Sequence, residues 1–117
     1  LQRKKQVTLW GSGLPRREFI FSEDIAEAVL FLIKHDASTY DKPLNIGCGI
    51  DYTIKELANA IGSQVGFDGE TIWDVSKPDG SPRKLLDSSQ ITALGWQSKV
   101  NLRAGIKKTY NWYLENR

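Results

Sequence analysis

Few side chains in this sequence have the type and spacing that chemistry demands. Cys48 is the only cysteine, and it sits between Gly47 and Gly49 after a short apolar run. With no second thiol there is neither an intrachain disulfide nor a thiolate-rich zinc site. A cysteine between two glycines reads as a small packing residue rather than a nucleophile. His35, the only histidine, closes an amphipathic run where a cation complements a helix dipole, and no Cys or Ser stands near it to be activated. The pairs Gly11/Gly13 and Gly47/Gly49 each lack the third glycine of a dinucleotide fingerprint, and the first runs into Pro15 instead of a helix. Arg3-Lys4-Lys5 reads as a solvated basic end, with steering of phosphates as the lesser alternative. Taken singly, Arg17 reads as half of a surface ion pair and Trp10 as a half-buried aromatic. Asp79 reads as an Asx-type turn within Pro78-Asp79-Gly80.

The elements that must position these residues follow from periodicity and capping. Val7 and Leu9 alternate with polar neighbours, so Gln6 to Trp10 is a strand closed by Gly11-Ser12-Gly13 and Pro15. Glu18 to Phe21 is a second short extended piece. Ser22 offers a helix N-cap, Glu23 and Asp24 lie where the dipole favours anions, and Ile25, Ala28, Val29, Leu32 and Ile33 keep helical spacing to about His35. A loop over Asp36 to Pro43 leads to a buried strand at Leu44-Asn45-Ile46. Thr53-Ile54-Lys55-Glu56 has the form of a capping box, and the helix it opens carries Ile54, Leu57, Ala58, Ile61 and Val65 on one face before Gly66 stops it. Glu70 to Asp74 is another strand, and the polar stretch from Ser76 to Arg83 is a loop. Asp87 or Ser88 caps a short helix through Leu94, and a last helix runs from about Asn101 to Asn116. Trp73, Trp96 and Trp112 read as core or helix-packing aromatics. Strands and helices alternate without repeats, so the class is α/β, a small sheet with covering helices.

Bulk properties narrow the function classes. The 117 residues are 40% hydrophobic and 26% charged, the composition of an ordinary globular domain, and one domain over residues 1–117 is the expectation. A chain of this size can bury roughly two thirds of its unfolded surface, which makes one small core. Sixteen Lys and Arg against 14 Asp and Glu give a net charge of +2 with the signs interspersed, which is no nucleic-acid signature. No apolar run approaches the ~18 residues of a membrane span, and no signal-peptide pattern opens the sequence. With a single cysteine, these features lead us to expect a cytoplasmic protein without membrane contact. The sequence begins at Leu1 and contains no methionine, so we expect further sequence upstream.

Three stretches together carry a family resemblance. Val7-Thr8-Leu9-Trp10-Gly11-Ser12-Gly13, then Pro15-Arg16-Arg17-Glu18-Phe19-Ile20 and Asp24-Ile25-Ala26, are similar to the opening of the substrate domain of extended short-chain dehydrogenase/reductases. Within that superfamily, Trp73-Asp74, the run Ser76-Lys77-Pro78-Asp79-Gly80-Ser81-Pro82-Arg83-Lys84-Leu85-Leu86-Asp87, Leu94-Gly95-Trp96, and Thr109-Tyr110-Asn111-Trp112-Tyr113-Leu114-Glu115-Asn116 resemble the GDP-L-fucose synthases. Nearly the whole chain is covered. One departure stands at Phe21-Ser22-Glu23-Asp24, where the family usually has His-Val-Asp-Asp.

The resemblance implies an NADPH-dependent enzyme that epimerises GDP-4-keto-6-deoxy-D-mannose at two carbons and reduces it to GDP-L-fucose. In that family the Gly-rich loop, the Ser/Tyr/Lys set and the Cys and His of epimerisation precede the matched region. The resemblance therefore implies a carboxy-terminal substrate-binding part without its Rossmann domain, with no catalytic, cofactor-binding or metal-binding residue of its own, and no cofactor bound by this chain alone. It places Trp10, Arg17, Asp79 and Lys84 on a GDP-sugar. Arg17 suits the diphosphate, since its planar fork donates two parallel bonds, and Lys84 adds a point charge. Asp79 suits guanine's donor edge or ribose hydroxyls, and Trp10 a flat wall. The implied partners are the GDP-sugar and the missing amino-terminal domain. The alternatives are a stand-alone nucleotide- or protein-binding module and a structural fragment that self-associates through an exposed face.

Overall fold

A computed structural model of the chain describes residues 5–35 and 42–117. The elements are β1 (Gln6–Trp10), β2 (Arg16–Glu18), α1 (Ser22–Lys34), β3 (Asp51–Thr53), α2 (Ile54–Val65), β4 (Glu70–Asp74), β5 (Arg83–Lys84), α3 (Ser89–Ala93) and α4 (Leu102–Glu115). The class is α/β, but the strands form two sheets instead of the single one expected. β1 and β4 pair in parallel, from Gln6 against Glu70 to Trp10 against Asp74. β2 lies between antiparallel β3 and parallel β5, opposite Tyr52 and Lys84 at Arg17.

Elements with strong local signals fall where the sequence places them. Thr53 Oγ1 accepts from Glu56 N at 3.0 Å while Thr53 N donates to Glu56 Oε2 at 2.7 Å, so both halves of the capping box form. Gly66 stops α2 in the left-handed region at φ +68°, and Asn101 caps α4 through Ala104 N at 2.9 Å.

Where pairing is non-local the boundaries move. β2 begins two residues before the expected Glu18, because Arg16 and Arg17 meet strand partners on both sides. Phe21, not Ser22, occupies the cap position of α1, and Ser22 is already helical. Asp24 turns inward instead of facing solvent: it is 3% exposed, and its Oδ2 accepts from Lys99 N at 3.2 Å and Val100 N at 2.9 Å. The first turn of α1 thereby holds the segment that leads into α4. Leu44–Ile46, expected as a buried strand, is irregular and only partly buried, and it pairs with no strand among the described residues; pairing resumes at Asp51. Most of the expected loop over Asp36 to Pro43 lies outside the described residues, as do Arg3 and Lys4. Arg83 leaves the expected loop to pair with Arg16. Ser88 gives α3 no side-chain cap, whereas Asp87 Oδ1 accepts from Ser89 N at 3.0 Å.

The core is thin. Ala28 of α1, Ile91 of α3 and Trp96 are buried, with Ile20, Phe31, Leu32 and Ile46 partly buried around them. Trp112 is 64% exposed, so it is not the packing aromatic that its sequence position suggests. On α1 the apolar stripe splits: Ala28 packs inward, while Ile25, Val29, Leu30 and Ile33 remain exposed. The accessible surface is 8731 Å², against roughly 6,400 Å² for a compact monomer of this mass. The radius of gyration of 17.4 Å likewise exceeds the ~13 Å of a compact domain of about 100 residues.

Candidate functional site

The three-residue strand β2 sorts its side chains by alternation, so Arg16 and Glu18 share one face and Arg17 takes the other. On the first face the charges hold the fold. Asp51, whose side chain is 5% exposed, accepts from Arg16 Nε at 2.9 Å and from Arg83 Nε, and Arg16 Nη2 also donates to the Asp51 carbonyl at 2.9 Å. Glu18 pins two loops: its Oε1 accepts from Gly49 N at 2.7 Å and its Oε2 from Leu86 N at 3.1 Å. Gly47 packs so closely that a Cβ there would lie 2.5 Å from Glu18 Oε1.

On the second face, Arg17 enters a small pocket of about 110 Å³ between the β1–β2 turn and the loop after β4. Trp10, Gly13, Pro15, Pro78, Asp79 and Gly80 line it with Arg17. Arg17 Nη1 donates to the carbonyls of Arg16 and Ser81, each at 2.7 Å. That locks the guanidinium plane, while Nε and Nη2 meet no acceptor among the described residues. Gly80 lets Nη2 approach, since a Cβ there would lie 3.1 Å from it. Trp10 is 75% exposed, which is neither core packing nor half-burial.

Asp79 does not make the local turn bond that Pro78-Asp79-Gly80 suggests; its carboxylate reaches back to the β1–β2 turn. Its carboxylate accepts from Ser12 N at 2.8 Å (Oδ1) and Ser12 Oγ at 2.6 Å (Oδ2), 67 residues away in sequence. These two donors, the hydroxyl first, hold its pKa below the ordinary carboxylate value. Asp79 is thus a latch between the loop and the turn. Lys84 is the register partner of Arg17 in β5 and is exposed, yet it does not line the pocket. The structure gathers Trp10, Arg17 and Asp79 around one pocket and leaves Lys84 beside it.

Sequence reasoning missed Ser12, Arg16, Glu18, Asp51 and Arg83. The alternation of Arg16-Arg17-Glu18 was the available signal, since a charged residue on each face of a short strand demands a partner for each. The partners themselves are distant in sequence. Asp51 is held below the usual carboxylate range, first by the Arg83 bond and then by Arg16, against the opposing effect of burial. With its folded pKa depressed, it contributes stability that is present above the unfolded value of ~3.9 and lost as pH falls through the lower folded value. We expect Asp51→Asn to lower the urea midpoint at pH 7 and to flatten its decline below pH 4. An unchanged acid limb would remove Asp51 from the account.

Other candidates carry less. Burial raises the Cys48 thiol above its ordinary pKa, so it stays protonated, and Sγ donates to the carbonyls of Phe19 and Ile50 at 3.4 Å. His35 is exposed and stacks on Phe31, with Nδ1 at 3.0 Å from the Phe31 carbonyl. A larger groove of about 430 Å³ between α2 and α4 is lined by apolar residues such as Phe19, Leu57, Ile61 and Ile106, and has no charge to hold an anion. Among the described residues no helix is long and apolar enough to cross a membrane.

Comparison with known proteins shows what the chain is similar to. Over 112 residues the chain is 48% identical to GDP-L-fucose synthase 1 of Arabidopsis thaliana, covering 96% of this chain and 34% of that protein. Along nearly its whole length the chain is similar to the GDP-L-fucose synthases. The sequence model of the NAD dependent epimerase/dehydratase family matches residues 1–47. The fold is similar to a GDP-6-OMe-4-keto-L-xylo-heptose reductase from C. jejuni, with TM-score 0.87 and 40% identity over 97% of this chain and 35% of that one. It is also similar to a GDP-L-fucose synthetase from Naegleria fowleri bound to NADP, with TM-score 0.86 and 27% identity over 95% of this chain and 35% of that one. The chain therefore spans about a third of the length of the relatives it matches.

Neither glycine pair opens a helix as a dinucleotide fingerprint does. Gly11-Ser12-Gly13 turns into β2, and its Ser12 N–H is spent on Asp79. At Gly47-Cys48-Gly49, Glu18 lies against Gly47 and takes the Gly49 N–H.

Proposed function

We propose that this chain is the carboxy-terminal, substrate-binding part of a GDP-L-fucose synthase and supplies one wall of its nucleotide-sugar cleft. The whole enzyme would convert GDP-4-keto-6-deoxy-D-mannose to GDP-L-fucose with NADPH, the hydride and proton transfers belonging to an amino-terminal Rossmann domain. One observation carries this reading. A guanidinium held through Nη1 leaves Nε and Nη2 without an acceptor among the described residues, beside an exposed indole that lines the same pocket. A fork held in one plane suits two parallel bonds to phosphate oxygens. Lys84, next to Arg17 across the sheet, adds positive charge at the rim. Asp79 contributes by holding the loop against Ser12. The Rossmann domain is the partner proposed for the exposed Ile25, Val29, Leu30 and Ile33 of α1, in keeping with the excess accessible surface.

Titration of the chain with GDP, followed by backbone amide shifts, tests the reading. Saturable shifts are expected around Trp10, Arg17 and Gly80, and none with NADPH. Arg17→Ala is expected to weaken GDP binding by at least about tenfold, the loss of one or two charge-assisted bonds. An unchanged dissociation constant removes Arg17 from the site. Turnover of a keto-sugar with NADPH by these residues alone would end the proposal. Growth in mass with concentration, without GDP binding, would favour the self-associating fragment.

A further inference from the structure

We infer that Lys77 is a positioning residue of the proposed nucleotide site, acting through Trp10. The inference rests on the GDP-cleft reading above. The ammonium of Lys77 stands over the Trp10 indole, 5.6 Å from the ring centroid. Trp10 is otherwise 75% exposed, and a bare indole at a strand end would sample several rotamers. A cation over the ring face favours one of them.

The placement of Lys77 is built by the backbone. Trp10 and Asp74 are register partners at the ends of β1 and β4, and Gly11 N donates to the Asp74 carbonyl at 2.9 Å. The chain then turns tightly. Lys77 N returns a bond to the same carbonyl at 3.2 Å, and Asp74 Oδ1 accepts from both Ser76 N and Ser76 Oγ. One residue thus anchors the strand end that carries Trp10 and the turn that carries Lys77.

Pocket geometry separates their roles. Trp10 and Pro78 line the pocket that Arg17 enters, whereas Lys77 does not. Lys77 braces the ring and leaves the pocket side for a planar group, so the site takes a ligand with a base stacked on Trp10 and its phosphates toward Arg17. Lys77 is a support for the base end of a nucleoside diphosphate and not a phosphate ligand.

The test compares Lys77→Gln and Lys77→Arg by GDP titration at several salt concentrations, with the Trp10 indole N–H resonance recorded for each. Lys77→Gln is expected to weaken GDP binding about two- to fivefold, the range of an exposed cation–π contact. It should also shift the Trp10 indole resonance and leave the salt dependence of binding unchanged. Lys77→Arg should restore both affinity and resonance. Unaltered affinity in Lys77→Gln overturns the inference. A shallower salt dependence overturns it as well, by assigning Lys77 to the phosphates. Absence of GDP binding to the unsubstituted chain ends the cleft reading and this inference together, whereas intact binding that is indifferent to Lys77 ends only the inference.

Discussion

Replacing Ile91 with alanine is expected to remove about 2–5 kcal/mol of folding stability, through lost transfer energy and the cavity left behind. Ile91 is 0% exposed and is the largest side chain so deeply buried among the described residues. The core it belongs to has only Ala28 and Trp96 as its other fully packed members. Trp96 N also donates to the Ile91 carbonyl at 3.2 Å, so the same residue anchors the exit from α3. Domains of this length have roughly 6–18 kcal/mol of stability in total, and a chain with this much exposed apolar surface belongs at the low end. The substitution therefore consumes a large share of what is available. Urea unfolding followed by tryptophan fluorescence measures it. Ile33→Ala, on the exposed side of α1 at 72% exposure, serves as the control and should change stability by less than about 0.5 kcal/mol. Equal midpoints for the two variants would show that α3 does not hold α1.

The contrast between these two isoleucines also marks what the sequence could say. Helical spacing places Ile33 on the apolar side of α1, but spacing cannot tell which part of a broad stripe this chain covers by itself. The exposed part, Ile25, Val29, Leu30 and Ile33, is the face proposed above for the Rossmann domain. Signals completed within a few residues came through: the Thr53–Glu56 box, the left-handed stop at Gly66 and the alternation of β1. Signals that needed a distant partner did not. Ser22 has the chemistry of a cap, yet Phe21 takes that position while Asp24 is drawn inward to Lys99 and Val100. Leu44–Ile46 has the composition of a buried strand and, among the described residues, no neighbouring strand to complete it.

The site divides in the same way. The resemblance put Arg17 and Trp10 on one ligand, and only the five residues Gly11 to Pro15 separate the strands that carry them. That Asp79 spends its carboxylate on Ser12 was not, because Pro78-Asp79-Gly80 offers a local turn bond that would satisfy the same group. The family pattern places Trp10, Arg17, Asp79 and Lys84 on a GDP-sugar, and it gives no sign that Asp79 also holds the loop through Ser12.

Gly13→Ala separates those two roles, and its effect is expected to reach both stability and binding. Gly13 sits at φ +75°, where an L side chain costs roughly 1–2 kcal/mol, and a Cβ there would lie 2.7 Å from the Trp73 ring. That ring is half-buried on β4 and is no flexible side-chain end, so the turn must move instead. Movement breaks two attachments. The Gly13 carbonyl accepts from Lys55 N at 2.9 Å in the first turn of α2, and the neighbouring Ser12 is the Asp79 latch. We expect a loss of about 2–4 kcal/mol, the strain of the backbone plus that of overpacking. GDP affinity should fall about tenfold although no ligand-facing atom is removed. Gly49→Ala provides the reference, because Gly49 has φ +73° with no atom within 4 Å of the new methyl. It bears the backbone cost alone, so the difference between the two variants measures the collision with Trp73. Trp73→Leu in the Gly13→Ala background should recover part of the affinity by giving the methyl room. If affinity falls equally in the Gly13 and Gly49 variants, the turn does not position the site, and the Ser12–Asp79 latch has no part in binding.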